Sequence, residues 1–188
     1  MSTGKRGLAP KKSRCLCLHE EAITSDPAWS GGDYPKPSDV TAGLRLHSHV
    51  FSVMGTCPAF YKNETWRIFG SNSLEEFMQN FWEAWFLPMD PNNLLCMGWK
   101  WRHGDVSRLT GGDLRQALGR IKAKTFVIPF ANDMFFPAED CAAEQAAIPG
   151  GELRMINSLW AHFAMLCVDP ADQAQIDKHL AELLAIPV

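Results

Sequence analysis

Apolar residues recur at helical spacing through the middle of this chain and in short unbroken runs near its end. Leu44, Val50, Phe51 and Met54 predict one helix, closed by Pro58. Ser73 followed by Glu76 is the signature of a capping box, and it precedes Phe77, Phe81, Trp82 and Trp85, so a second helix is expected to run up to Pro88. Asp90-Pro91 predicts a third, with Asp90 as N-cap and Leu94, Leu95, Met97 and Trp101 carrying it toward Gly104. After the Gly111-Gly112 loop, residues 113–120 predict a short helix. The pattern then changes. Thr125 to Phe130 and Glu152 to Asn157 read as buried strands. Residues 138–147 read as the helix between them, and residues 172–185 as an amphipathic helix with Ile176, Leu180, Leu183 and Leu184 on one face. Strand, helix, strand, helix predicts a parallel β-α-β-α unit.

The remaining segments are punctuation. Residues 24–43 are rich in Pro, Gly, Asp and Ser and predict a long irregular loop, with Trp29 and Tyr34 as its anchors. The first 19 residues show no periodicity and read as a tail. The expected organisation is a disordered basic tail over 1–21, a connecting loop and helical lid over 22–120, and a carboxyl-terminal α/β unit over 121–188.

Charge sharpens this picture. Residues 1–14 hold Lys5, Arg6, Lys11, Lys12 and Arg14 and no acid, whereas the rest carries 13 basic against 21 acidic residues. An acidic body lacks the basic face that phosphate binding needs, which argues against a nucleic-acid partner. Six cysteines are scattered without a Cys-x-x-Cys pair, so a structural metal site is not expected. No apolar stretch is long enough for a bilayer, and no apolar leader follows the basic start. A cytoplasmic protein with free thiols and no membrane partner is the expectation.

The candidate chemistry lies in Asp133 and His162. Each follows one of the two predicted strands, and in a parallel sheet catalytic groups gather at the strands' carboxyl ends. An acid and then a histidine after successive strands is the closing order of a Ser…Asp…His triad on an α/β-hydrolase sheet. The same residues admit a plainer account, in which Asp133 caps the following helix and His162 is a loop residue. No Gly-x-Ser-x-Gly occurs anywhere in the 188 residues.

Longer motifs carry a resemblance. Asn132-Asp133-Met134-Phe135-Phe136-Pro137 resembles the Asp-Trp-Leu-Phe-Pro segment of homoserine O-acetyltransferases, which are α/β-hydrolase-fold acyltransferases. Ala161-His162-Phe163 stands at that family's Gly-His-Asp. Trp29 to Tyr34 resembles its Trp-x-x-Gly-x-Tyr loop, and residues 89–94, 112–114 and 117–122 resemble its lid helix and the approach to the acid-bearing strand. The resemblance covers residue 22 to the end. It implies a partial α/β-hydrolase fold and acyl transfer from a thioester to an alcohol through a serine ester. Asp133 would be the triad acid and His162 the base. It implies no bound cofactor, with acyl-CoA as a co-substrate, and a small-molecule acyl donor and alcohol acceptor. Three departures qualify it. The serine elbow is absent. Phe163 replaces the aspartate that helps bind the homoserine ammonium group. Asn93-Leu94-Leu95 stands where a tyrosine is usual.

Other residues admit two readings each. The aromatic crowd of Trp66, Trp82, Trp85, Trp99, Trp101, Phe77, Phe81 and Phe86 suits a lid over an acyl channel, or plain packing and an oligomer face. His47 and His49 lie two apart, which on a helix does not give one face for a metal. Ser52 and Cys57 are upstream nucleophile types without glycine flanks. Arg67, Lys100 and Arg102 are solvated charges or substrate contacts. A two-stranded parallel sheet has open edges and uncovered faces, which predicts pairing with a missing amino-terminal half or with another copy. The competing functions are an acyltransferase lineage, an inactive or interaction protein, and an ester hydrolase.

Overall fold

The computed structural model describes residues 10–187, with side chains from Cys17 onward. Within these, backbone contacts define two units: residues 10–53 with 58–104, and residues 54–57 with 105–187. Residues 1–9 of the expected tail lie outside the described residues.

The first unit is helical. It contains α1 (Pro10–Thr24), α2 (Thr41–Gly55, whose last two residues fall in the second unit), α3 (Pro58–Lys62), α4 (Leu74–Phe77), a π-helical turn (Met78–Glu83), α5 (Ala84–Phe86) and α6 (Pro91–His103). Residues 10–24 are therefore helix, not tail. What holds α1 is tertiary: the Arg102 guanidinium of α6 donates to Glu20 at 2.7 Å, and Ile23 is buried. Gly43 lets α2 approach closely, since a Cβ there would lie 2.8 Å from the Ile23 carbonyl oxygen. Asp26 closes the junction by accepting from the Gly43 amide at 2.8 Å.

The segment expected as an irregular loop holds two 3-10 turns, Pro27–Gly32 and Pro37–Asp39. Trp29 and Tyr34 anchor it. The Trp29 indole donates to Asn92 at 3.1 Å, and the Tyr34 hydroxyl donates to Asp90 at 2.9 Å. Asp90 meanwhile caps α6 by accepting from the Asn93 amide at 2.8 Å. At α4, Ser73 accepts from the Glu76 amide at 3.1 Å. The Glu76 carboxylate reaches back one residue further than a capping box requires, to the Asn72 amide at 2.7 Å.

Trp82, Phe77, Phe60 and Leu44 are the fully buried centre of this unit. The π-helical turn lets consecutive aromatics pack: Phe81 lies 4.6 Å from Phe69, and Trp82 lies 6.0 Å from Phe51. His19 and His47 are also buried, with ring centroids 4.7 Å apart. Phe86 lies edge-on to His47 at 4.9 Å. Burial pushes each imidazole down to about 4, and the neighbouring His47 adds to the effect on His19.

The second unit contains α7 (Leu114–Leu118), β1 (Phe126–Val127), α8 (Ala138–Gln145), β2 (Glu152–Leu153) and α9 (Pro170–Leu184). β1 and β2 are parallel, with Phe126 opposite Glu152 and Val127 opposite Leu153. Hydrogen bonds continue past both strands. The Ile156 amide donates to the Pro129 carbonyl at 3.0 Å, the Ala131 amide donates to the Ile156 carbonyl at 2.9 Å, and Phe130 bridges Ile156. The regular ladder is shorter than the two six-residue strands expected because Pro129 has no amide proton to donate.

The strands are half-buried, not fully buried as their apolar runs predict. Leu153 and Met155 are exposed on β2 and just beyond it, and Leu184 of α9 is 84% exposed. Two strands are too few to cover one another, so the apolar stripe of α9 exists but is not fully used among the described residues. Among those residues, no helix is long and apolar enough to cross a membrane.

Candidate active site

Asp133 follows the last sheet bridge, in the turn between Phe130 and α8. Its carboxylate divides its two oxygens. Oδ1 accepts from the Phe135 amide at 2.7 Å and the Phe136 amide at 3.0 Å. Oδ2 faces Nδ1 of His162 at 3.0 Å. The aspartate thus caps a turn and meets the histidine at once. The turn it caps is that of Phe135 and Phe136; α8 itself starts after Pro137 without a side-chain cap.

His162 lies in a 3-10 segment, Ala161–Leu166, that follows β2. Phe135 and Phe136 flank its ring at 4.7 and 5.6 Å. Asp133 is nearly inaccessible, with 4% of its side chain exposed, against 15% for His162. That gradient is what an acid–base couple needs: a shielded acid and a base that reaches the surface. With Nδ1 donating to the carboxylate, Nε2 keeps its lone pair for a proton. The two residues singled out in the sequence are therefore brought together, 29 positions apart in the chain.

The other candidates are dispersed. His47 packs against His19, while His49 turns to the Glu83 carboxylate at 3.0 Å. Among the described residues no group of three or more His, Cys, Asp or Glu could hold a metal ion. Ser52 is buried and donates to the His49 carbonyl at 2.7 Å. Arg67 pairs with Glu64 and Arg102 with Glu20, and Lys100 is exposed. Phe163, expected from its position to exclude an ammonium-binding carboxylate, is a buried residue whose ring lies 6.1 Å from that of His162.

Sequence reasoning does not find the supports of the base loop: Asn132 enters it only within the Asn132–Pro137 motif and Cys57 only as a nucleophile type, while Ser158 and Asp172 are not singled out as site residues.

Comparison with known proteins bears on what this pair belongs to. No protein-family profile matches the chain. A solved acetylester hydrolase from Corynebacterium glutamicum matches at 48% identity with a TM-score of 0.89, over 93% of this chain and 50% of that one. The acetyl esterase MekB matches at 46% identity, also with a TM-score of 0.89, over 92% of this chain and 50% of that one. The solved relatives are α/β-hydrolase-fold proteins. The helices and small parallel sheet described above accord with part of that fold.

Among curated proteins, a probable esterase of C. glutamicum is 51% identical over 163 residues, 87% of this chain and 47% of that protein. The ethyl acetate hydrolase of Pseudomonas veronii is 48% identical over 167 residues, 89% and 48% respectively. A homoserine O-acetyltransferase of Thermobifida fusca matches at 28% over 176 residues, 87% and 45%. The acetyltransferase resemblance is thus the more distant one, and the esterase link is the stronger. The chain spans about half the length of the curated relatives it matches.

Proposed function

We propose that this chain carries the acid and the base of an ester hydrolase acting on short acetyl esters, and that the nucleophilic serine comes from polypeptide other than these 188 residues. The observation that carries the reading is the 3.0 Å contact between His162 Nδ1 and Asp133, with Nε2 left to face a nucleophile. The esterase relatives at about half identity supply the substrate class.

In this mechanism His162 Nε2 takes the serine proton as Oγ attacks the ester carbonyl. Asp133 stabilises the imidazolium that forms and holds the ring in its tautomer. The imidazolium then protonates the departing alcohol, leaving an acyl-serine. His162 next takes a proton from water, whose oxygen attacks the acyl carbon, and returns it to the serine as the carboxylic acid leaves. Phe163 supports hydrolysis over transfer to homoserine, since it puts no carboxylate beside the base to pair with an ammonium group. The exposed Leu153, Met155 and Leu184 support a complementing partner, which would cover apolar surface that the second unit leaves open.

The test combines this chain with the half of the C. glutamicum esterase that it does not match. Neither piece alone should hydrolyse 4-nitrophenyl acetate above background, and the pair should. Given acetyl-CoA and homoserine, the pair should form no O-acetylhomoserine. Accumulation of that product at a rate comparable to hydrolysis would favour the acetyltransferase reading. Silence of the purified, associated pair toward all acetyl esters would refute the proposal.

A further inference from the structure

The loop that presents His162 is pinned at three consecutive residues. The Ser158 carbonyl accepts from the Asn132 side-chain amide at 3.3 Å. The Leu159 carbonyl accepts from the Cys57 thiol at 3.3 Å. The Trp160 amide donates to the Ser158 hydroxyl oxygen at 3.0 Å. That hydroxyl in turn donates to the Asp172 carboxyl at 2.5 Å. Immediately afterwards comes Ala161, fully buried and at φ 47°. A non-glycine residue in the left-handed region is strained and persists only where its surroundings over-determine it.

Asp172 is the least expected member of this set. An acid in the first turn of a helix is favoured by the helix dipole, which explains the residue type. It does not explain why the side chain is buried, with the residue only 3% exposed, or why it reaches back 14 residues to Ser158. Burial, opposed by the Ser158 hydrogen bond and aided by nearby Asp169, pushes its carboxyl above the ordinary aspartate range. Burying a carboxyl is costly unless it is hydrogen-bonded, and the Ser158 hydroxyl is the donor that meets it here.

We propose that Asp172 is a positioning residue for His162: by orienting the Ser158 hydroxyl it fixes the Trp160 amide, and so sets the left-handed turn at Ala161 that aims the imidazole at Asp133. Asn132, adjacent to Asp133, completes the link between the acid loop and the base loop. The chain of contacts runs from α9 through Ser158 to Trp160, and the last step to His162 is through backbone geometry. The inference rests on the reading of His162 as base, and its test separates the two.

Proton NMR of the intact chain, labelled with 15N-histidine and cooled to slow exchange, reads the strongly deshielded Nδ1 proton of His162. Its loss in His162→Gln assigns it. The parent should show the resonance, and Asp133→Asn should abolish it. Asp172→Ala and Ser158→Ala should each lose it while the backbone amide spectrum stays dispersed. Asp172→Asn should retain it, because the amide oxygen still accepts from the Ser158 hydroxyl. A folded Asp172→Ala chain that keeps the resonance overturns the positioning role, and so does its loss in folded Asp172→Asn. If one alanine variant unfolds, the other decides; if both unfold globally, the role is structural and the proposal is wrong. Absence of the resonance from the parent, or its survival in Asp133→Asn, overturns the acid–base pairing itself.

Discussion

Asp133→Asn should lower kcat of the complemented esterase by about 10⁴ with little change in KM. The size of the effect follows from how the carboxylate is held. Two backbone amides, those of Phe135 and Phe136, donate to Oδ1. An asparagine must therefore keep its oxygen there, since its NH2 group would confront two donors. The NH2 then faces His162 Nδ1 and donates to it. The imidazole is driven to carry its proton on Nε2, where it can no longer accept one from serine. Fold and substrate contacts survive, so circular dichroism and KM should stay near parent values while turnover collapses. A variant that keeps more than about a tenth of parent kcat would show that the pair does not run the proton transfer.

Lowering the pH from about 6.5 to 4 should destabilise the helical first unit, through His19 and His47. Both imidazoles are pushed down to about 4 by burial, below their unfolded value. Above pH 6.5 both are neutral in either state and nothing is lost. As pH falls below the unfolded value, the unfolded chain binds protons that the buried rings refuse. Stability is therefore lost between about 6.5 and 4, by up to about 3 kcal/mol for one such ring. The second ring adds less than that, since the two are in contact and share the burial. Thermal unfolding followed across this range should show a falling midpoint. His47→Leu, which suits the apolar surroundings of Phe86 and Phe51, should flatten the fall. A His47→Leu profile parallel to that of the parent would remove the buried pair as the cause.

Much of the local structure was legible because it is written in short-range signals. Asp90 with Pro91, Ser73, and Asp113 before α7 each mark a helix start by a side chain that accepts from the amide three residues on. Asp133 and His162 were legible for a related reason: position after a strand limits where a side chain can point. What escaped notice depends on distant partners. α1 lacks a strong apolar period and is held by α6 through Glu20 and Arg102. The π-helical turn has no sequence signature among its aromatics. Pro129 was visible, but the missing donor matters only once β2 is known to lie opposite. In the sequence Asp172 is only the first residue of a predicted helix; its bond to Ser158, 14 residues back, needs the fold. The resemblance to homoserine O-acetyltransferases pointed to a partial α/β-hydrolase fold, with which the helices and small parallel sheet accord, while the esterase relatives are the nearer in sequence.

The most direct test of the central claim is covalent. A fluorophosphonate probe is an electrophile whose fluoride only an activated nucleophile displaces, and peptide mapping locates the modified residue. The purified chain should take up no label, although Ser52, Ser158 and Cys57 are present. The complemented pair should be labelled on a serine of the other half, at a rate that collapses in His162→Gln. Label on any residue of this chain, or labelling of the pair that ignores His162, would contradict the account.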